Sequence, residues 1–122
     1  MKYLLDTHVL IWWFEDSERL SPLFVEIIEN PSNVKYVSVV NLWEVVVKIM
    51  TGKLKLKRTL DFIVRNLFEF EILDIKLNHV LEIQNLPKIH KDPFDRMLIA
   101  QAKVEGLTLL TADRKVIQYF GK

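Results

Sequence analysis

Four short apolar runs, separated by longer helical patterns, constrain this chain more than any other feature. Lys2–Leu5 (KYLL), Lys35–Ser38 (KYVS), Phe70–Asp74 (FEILD) and Leu107–Leu110 (LTLL) read as strands. Thr7–Phe14 reads as a helix, and so does Pro22–Asn30, with Ser21 as N-cap and Pro22 at the first position. Val40–Thr51 is a helix stopped by Gly52, and Pro93–Glu105 one ended by Gly106. Thr59–Phe68 is amphipathic, Lys76–Asn85 is helical before Pro87, and Asp113–Tyr119 is a closing turn or two. Strands that alternate with helices predict a parallel sheet covered on both faces, an α/β architecture in three layers. Ligands of such sheets bind outside the carboxyl ends of the strands.

The chain has the material for this fold. Its 122 residues suit a single domain over 1–122, and half of them are hydrophobic, which argues against disorder. Seventeen basic and 16 acidic residues leave a net charge of +1, so net charge alone does not call for nucleic acid. There is no cysteine, which excludes disulfides and thiolate metal sites and suits a reducing cytosol. Asp6 and His8 interrupt the apolar N-terminus, and no small-residue cleavage site follows. No apolar run approaches the ~20 residues of a membrane span. The expectation is a cytoplasmic protein without a membrane partner.

The carboxyl edge of the sheet collects acids. Asp6 directly follows the first strand, and Thr111 and Asp113 follow the fourth. Asp92 and Asp95 open the helix that leads into the fourth strand, and Glu44 lies one to two turns into the helix after the second. Mutual repulsion penalises such a gathering unless a cation accompanies it. A hard divalent ion such as Mg²⁺ takes oxygen ligands and removes the penalty. The histidines lack close paired-ligand spacing, which disfavours zinc.

Each acid also has a plainer reading. Asp6 or Thr7 can cap the first helix, and Asp113 the last. Asp92 is placed to cap before Pro93, with Asp95 as its partner three residues on. Glu44 can pair with Lys48 at i,i+4. In VVNLWEVVVKIM the polar residues are Asn41, Glu44 and Lys48, a narrow line on an apolar helix. That line faces either a small window of solvent or an internal polar cleft.

Lys48, Lys53, Lys55, Lys57 and Arg58 form a basic run, read equally as a solvated loop or as a phosphate-binding surface. Arg96 and Arg114 stand beside acids, where each can contact phosphate or ion-pair with carboxylates. For His8 and His90 a structural hydrogen bond is the preferred reading over catalysis. Trp12 and Trp13, adjacent on one helix, point about 100° apart and cannot both face the core, which suggests a protein interface or base stacking.

Four blocks in order resemble the PIN-domain family, and most of all the VapC toxins of toxin–antitoxin pairs. They are Asp6 in YLLDTHVLIWW, Ser38 to Glu44 in SVVNLWEV, Asp95 in HKDPFDRMLIAQA, and Asp113 in TLLTADR. The likeness covers nearly the whole chain, and the third block followed by the fourth is its most specific part. It implies a PIN-like fold with a central parallel sheet of four strands, a fifth being left open. It also implies an endoribonuclease dependent on Mg²⁺, with Mn²⁺ as substitute. The family's acidic quartet falls on Asp6, Glu44, Asp95 and Asp113, with Asp6 and Asp95 as direct metal ligands and the other two acting through water or a second ion. Asp92, Thr111 and Arg96 are supporting residues, and Lys48, Lys53 and Lys55 are candidates for holding RNA. The implied partners are an RNA substrate, a small antitoxin that covers the site, and a second copy of the chain. Two competing readings are a catalytically silent PIN-like module and a phospho-receiver, for which Asp74 is the candidate acceptor. An aspartyl phosphohydrolase is a third, but it wants an aspartate where His8 stands.

Overall fold

Every strand pairs in parallel. In the computed structural model, which describes residues 1–120, β1 (Lys2–Leu5), β2 (Val34–Ser38), β3 (Glu71–Leu73) and β4 (Thr108–Leu110) form one sheet in the order β3-β2-β1-β4. Tyr3 is in register with Lys35 on one side and Thr108 on the other. Helices fill the connections: α1 (Thr7–Phe14), α2 (Pro22–Glu29), α3 (Val39–Met50), α4 (Leu60–Arg65), α5 (Leu77–Glu82), α6 (Pro93–Glu105) and α7 (Arg114–Ile117).

Alternation along the strands splits the core in two, because successive side chains leave a strand on opposite faces. Leu4 and Leu109 pack with Met97, Leu98, Ile99 and Ala100 of α6 and with Val116 and Tyr119. Leu5, Val37 and Leu110 pack on the other face with Val9, Leu10 and Phe14 of α1, Ile28 of α2 and Ile63 of α4. The three predicted layers are therefore present. A fully buried leucine such as Leu98 contributes roughly 2–3 kcal/mol by removal from water.

Helix ends follow the punctuation of the sequence. Ser21 Oγ accepts from Phe24 N ahead of Pro22, and Gly106 closes α6 at φ 68°, a left-handed conformation that suits glycine. The amphipathic segment and the expected helix before Pro87 each divide. Thr59–Phe68 becomes α4 plus a 3₁₀ turn at Leu67–Glu69, and Lys76–Asn85 becomes α5 plus a 3₁₀ turn at Ile83–Asn85. After β4 the chain enters α7 and a 3₁₀ turn at Gln118–Phe120, so the sheet has four strands among the described residues. No helix there is long and apolar enough to cross a membrane.

Candidate metal centre

The carboxyl edge of β1 and β4 builds the centre. Asp6 N donates to Leu110 O at 3.0 Å, extending the β1–β4 pairing by one residue. Asp6 stands at the N-cap of α1, but its side chain makes no capping bond. Its Oδ2 accepts instead from Thr111 Oγ1 at 2.7 Å, just past β4. Burial raises the Asp6 pKa, and the negative charge of Glu44 adds to the rise against the lowering effects of Thr111 and His8.

The polar line on α3 faces inward. Asn41 is fully buried and donates to Leu5 O at 3.1 Å and Thr7 Oγ1 at 3.0 Å, while its Oδ1 accepts from Ser38 N at 2.7 Å. It thereby locks α3 to the end of β1. One turn on, Glu44 is buried, and its Oε2 lies 2.6 Å from Lys48 Nζ. Glu44 Oε1 is buried with no hydrogen-bond partner among the described residues. Sequence inspection left Asn41 as part of a polar stripe; its three-residue spacing from Glu44 was the available signal for its role.

At the start of α6 the two aspartates separate. Asp92 Oδ1 caps the helix, accepting from Phe94 N at 2.8 Å and Asp95 N at 3.2 Å. Asp95 does not reach back to complete a capping box; its Oδ2 lies 3.0 Å from His90 Nε2. The Asp95 carboxyl is pushed up to about 8, by burial first and then by the charges of Asp6, Asp92, Glu44 and Asp113. Asp113 does two things at once: Oδ1 accepts from Lys115 N at 2.8 Å to cap α7, and Oδ2 lies 3.4 Å from His90 Nε2. Its amide donates to Thr111 Oγ1 at 3.1 Å.

Asp6, Glu44, Asp95 and Asp113 thus line one cleft of about 450 Å³, together with His8, Trp12, Lys48, His90 and Asp92. His90, Asp95 and Asp113 each offer a ligand atom within 4.8 Å of the others. These residues fit a hard divalent cation. The donors are mainly carboxylate oxygens, they repel one another, and a buried Glu44 oxygen lacks a partner.

The other expected residues scatter. Lys48 lines the cleft; burial lowers its pKa, but Glu44, then Asp92 and Asp95, outweigh this and raise it. Lys53 and Lys55 are exposed on the irregular segment after α3 and do not line the cleft. Arg96 turns away from the acids. Its guanidinium donates to the carbonyls of Ile83, Pro87 and His90 at 3.2, 3.1 and 3.3 Å. Asp74, the candidate phosphoacceptor, is exposed and outside the cleft. Trp12 and Trp13 are both half-buried against the α1 face of the core, and Trp12 also borders the cleft.

The fold and this acid-lined edge define a class, and sequence comparison identifies it. The PIN domain family model matches residues 3–121, and the chain belongs to that family. Among solved structures it is similar to VapBC2 from Rickettsia felis bound to a promoter DNA fragment, at 19% identity and a TM-score of 0.71, covering 98% of this chain and 93% of that one. DNA-bound VapBC from Salmonella typhimurium matches at 19% identity and 0.69, covering 99% and 94%. A toxin–antitoxin complex from Klebsiella pneumoniae matches at 22% and 0.64, covering 98% and 90%. Comparison with curated proteins finds no match.

Proposed function

We propose that this chain is a metal-dependent endoribonuclease, the toxin of a toxin–antitoxin pair. Family membership supports a nuclease, and the observation that carries the metal reading is the unpartnered, buried Glu44 Oε1 in a cleft shared with Asp6, Asp95 and Asp113. Those four carboxylates would hold Mg²⁺, with Mn²⁺ as substitute. When bound, the ion supplies a water of lowered pKa and an electrophile for the phosphoryl oxygen.

The chain's own residues prepare this chemistry. Thr111 holds one Asp6 oxygen in place, Asn41 fixes the helix that delivers Glu44, and the Asp92 cap fixes the turn that delivers Asp95. Lys48, at the cleft rim, is the cation best placed to meet a substrate phosphate. Hydrolysis of this kind needs no 2′-hydroxyl nucleophile, so a preference for RNA would come from binding.

The solved structures it resembles are toxin–antitoxin complexes, which supports a small antitoxin as partner. A homodimer and a cytoplasmic setting, with residues 1–122 acting as one domain, complete the proposal. The test is cleavage of varied RNAs with Mg²⁺, Mn²⁺ or EDTA, beside Asp95→Asn. The proposal expects cleavage by the wild type with metal, and none in EDTA or by the variant. Cleavage that persists in EDTA ends the metal assignment, and a chain that cuts no RNA with its antitoxin removed is a binding module.

A further inference from the structure

We infer that His90 is a positioning residue of the metal centre: a fixed N–H donor that draws the carboxylates of Asp95 and Asp113 together, and not a ligand itself. The role rests on the cleft holding a divalent metal.

The argument starts from the tautomer. Asp92 N donates to His90 Nδ1 at 3.1 Å. A backbone amide can only donate, so Nδ1 carries the lone pair and Nε2 carries the hydrogen. That Nε2–H faces Asp95 Oδ2 at 3.0 Å and Asp113 Oδ2 at 3.4 Å. These acids come from different places, the first turn of α6 and the cap of α7. Nothing in their own elements sets the distance between them, whereas the ring spans both.

The backbone that carries the ring is held as well. His90 N donates to Tyr119 Oη at 2.6 Å, and His90 O accepts from Arg96 Nη1 at 3.3 Å. For Nε2 to bind a metal, the hydrogen would have to move to Nδ1, against the Asp92 amide. The same bond that fixes the ring therefore bars it from ligation. An outer-sphere group of this kind, hydrogen-bonded to ligating carboxylates, typically alters metal affinity about 10–100-fold when removed.

Two substitutions divide the ring's functions. In His90→Asn the amide oxygen can still accept from Asp92 N, but no donor reaches Asp95. In His90→Gln the amide nitrogen retains the reach toward the two acids. Mn²⁺ affinity is measured by titration on the metal-free proteins, beside wild type and Asp95→Asn, with the Tm of each in EDTA. Wild type is expected to bind Mn²⁺. His90→Asn is expected to bind about tenfold or more weakly at a Tm near wild type, and His90→Gln to stay within about threefold of wild type. Pulsed EPR of the Mn²⁺-bound wild type is expected to show no strong coupling to a directly bound imidazole nitrogen.

A wild-type affinity in His90→Asn overturns the role while leaving the metal centre intact. A His90→Gln affinity as weak as that of Asp95→Asn overturns it too, and serves as the test where His90→Asn does not fold. Strong nitrogen coupling makes His90 a ligand and also overturns it. A wild type that binds no Mn²⁺ removes the metal centre and this role together.

Discussion

Lys48 Nζ sits 2.6 Å from Glu44 Oε2, one helical turn away, while the other oxygen of the same carboxylate is buried and unpartnered. Among the described residues, Lys48 is the side-chain partner of the buried Glu44 carboxylate. Removing one member of such a pair costs about 3–5 kcal/mol in a fully buried site. Lys48 is 29% exposed, so solvent screening reduces the figure. Lys48→Ala is expected to destabilise the metal-free protein by about 1–3 kcal/mol in chemical denaturation. Saturating Mn²⁺ is expected to recover most of that loss, because it supplies the missing countercharge.

Burial first, and then the charges of Asp6, Asp92, Glu44 and Asp113, push the Asp95 carboxyl up to about 8, so the folded cleft disfavours its ionised form. Asp95→Asn replaces a carboxyl that ionises more readily in the unfolded chain than in the cleft, while keeping an oxygen to accept from His90. It is expected to raise the metal-free Tm, by about 1 kcal/mol or roughly 4 °C for a domain of this size. Divalent metal should then raise the wild-type Tm, by up to about 2.7 kcal/mol at a hundredfold excess over Kd, and leave the variant unmoved. A metal-free Asp95→Asn less stable than wild type contradicts the view that burial and neighbouring charges disfavour the Asp95 carboxylate.

What was legible in the sequence, and what was not, follows from the range of the interactions. Strands, helix caps and the stops at Gly52 and Gly106 depend on neighbours a few residues away, and they emerge within one or two residues of expectation. The gathering of Asp6, Glu44, Asp95 and Asp113 could be foreseen because each lies at the carboxyl edge of a parallel strand or near it. Thr111 was expected as a supporting residue, but its particular bonds, and the jobs of Asn41 and Arg96, were not legible. Thr111 meets Asp6 across 105 positions, and Asn41 meets Leu5 across 36. Arg96 stands next to Asp95 in sequence, but its helical position aims it at the loop before Asp92. Adjacency in sequence suggested an ion pair; among the described residues Arg96 makes none.

Thr111 joins the two strand ends of the centre, donating to Asp6 and accepting from Asp113 N. Thr111→Val keeps the shape and removes both bonds. It is expected to cost about 1–2 kcal/mol of stability and to lower metal affinity about tenfold or more. Thr111→Ser, which restores the hydroxyl, should recover the affinity. Equal metal affinity in wild type and Thr111→Val would show that Asp6 needs no such hold.

A pH effect is expected far from the cleft. His79 is fully buried on α5; its Nδ1 accepts from Lys76 N, so Nε2–H donates to Glu105 Oε2 at 2.7 Å. This bond lowers the Glu105 pKa below its ordinary 4.5, outweighing burial with the help of Lys76 and the His79 charge. A depressed carboxylate contributes stability above its unfolded pKa and loses it as pH falls through the folded value. Glu105→Gln should therefore reduce Tm at pH 7, and the gap to wild type should close as pH drops below about 4.5. A gap that stays constant down to pH 3 would mean the ionised carboxylate is not what holds α5 to α6.

Tyr119 closes the loop that carries His90. Its hydroxyl oxygen accepts from Ile89 N at 3.1 Å, His90 N at 2.6 Å and Arg96 Nη1 at 3.3 Å, while its ring is buried against α6. Tyr119→Phe keeps the packing and leaves two partly buried amides without an acceptor. Each orphaned donor costs about 1–3 kcal/mol unless water reaches it, and these sit close enough to the surface for partial relief. The expected global loss is about 1–2 kcal/mol. The sharper readout is local: the amides of Ile89 and His90 should exchange with solvent faster in the variant, while those of β1 and β4 keep their protection. Loosening there frees the ring that spans Asp95 and Asp113, so metal affinity should fall with the exchange protection. Faster exchange at Ile89 and His90 with unchanged affinity would separate the loop from the centre.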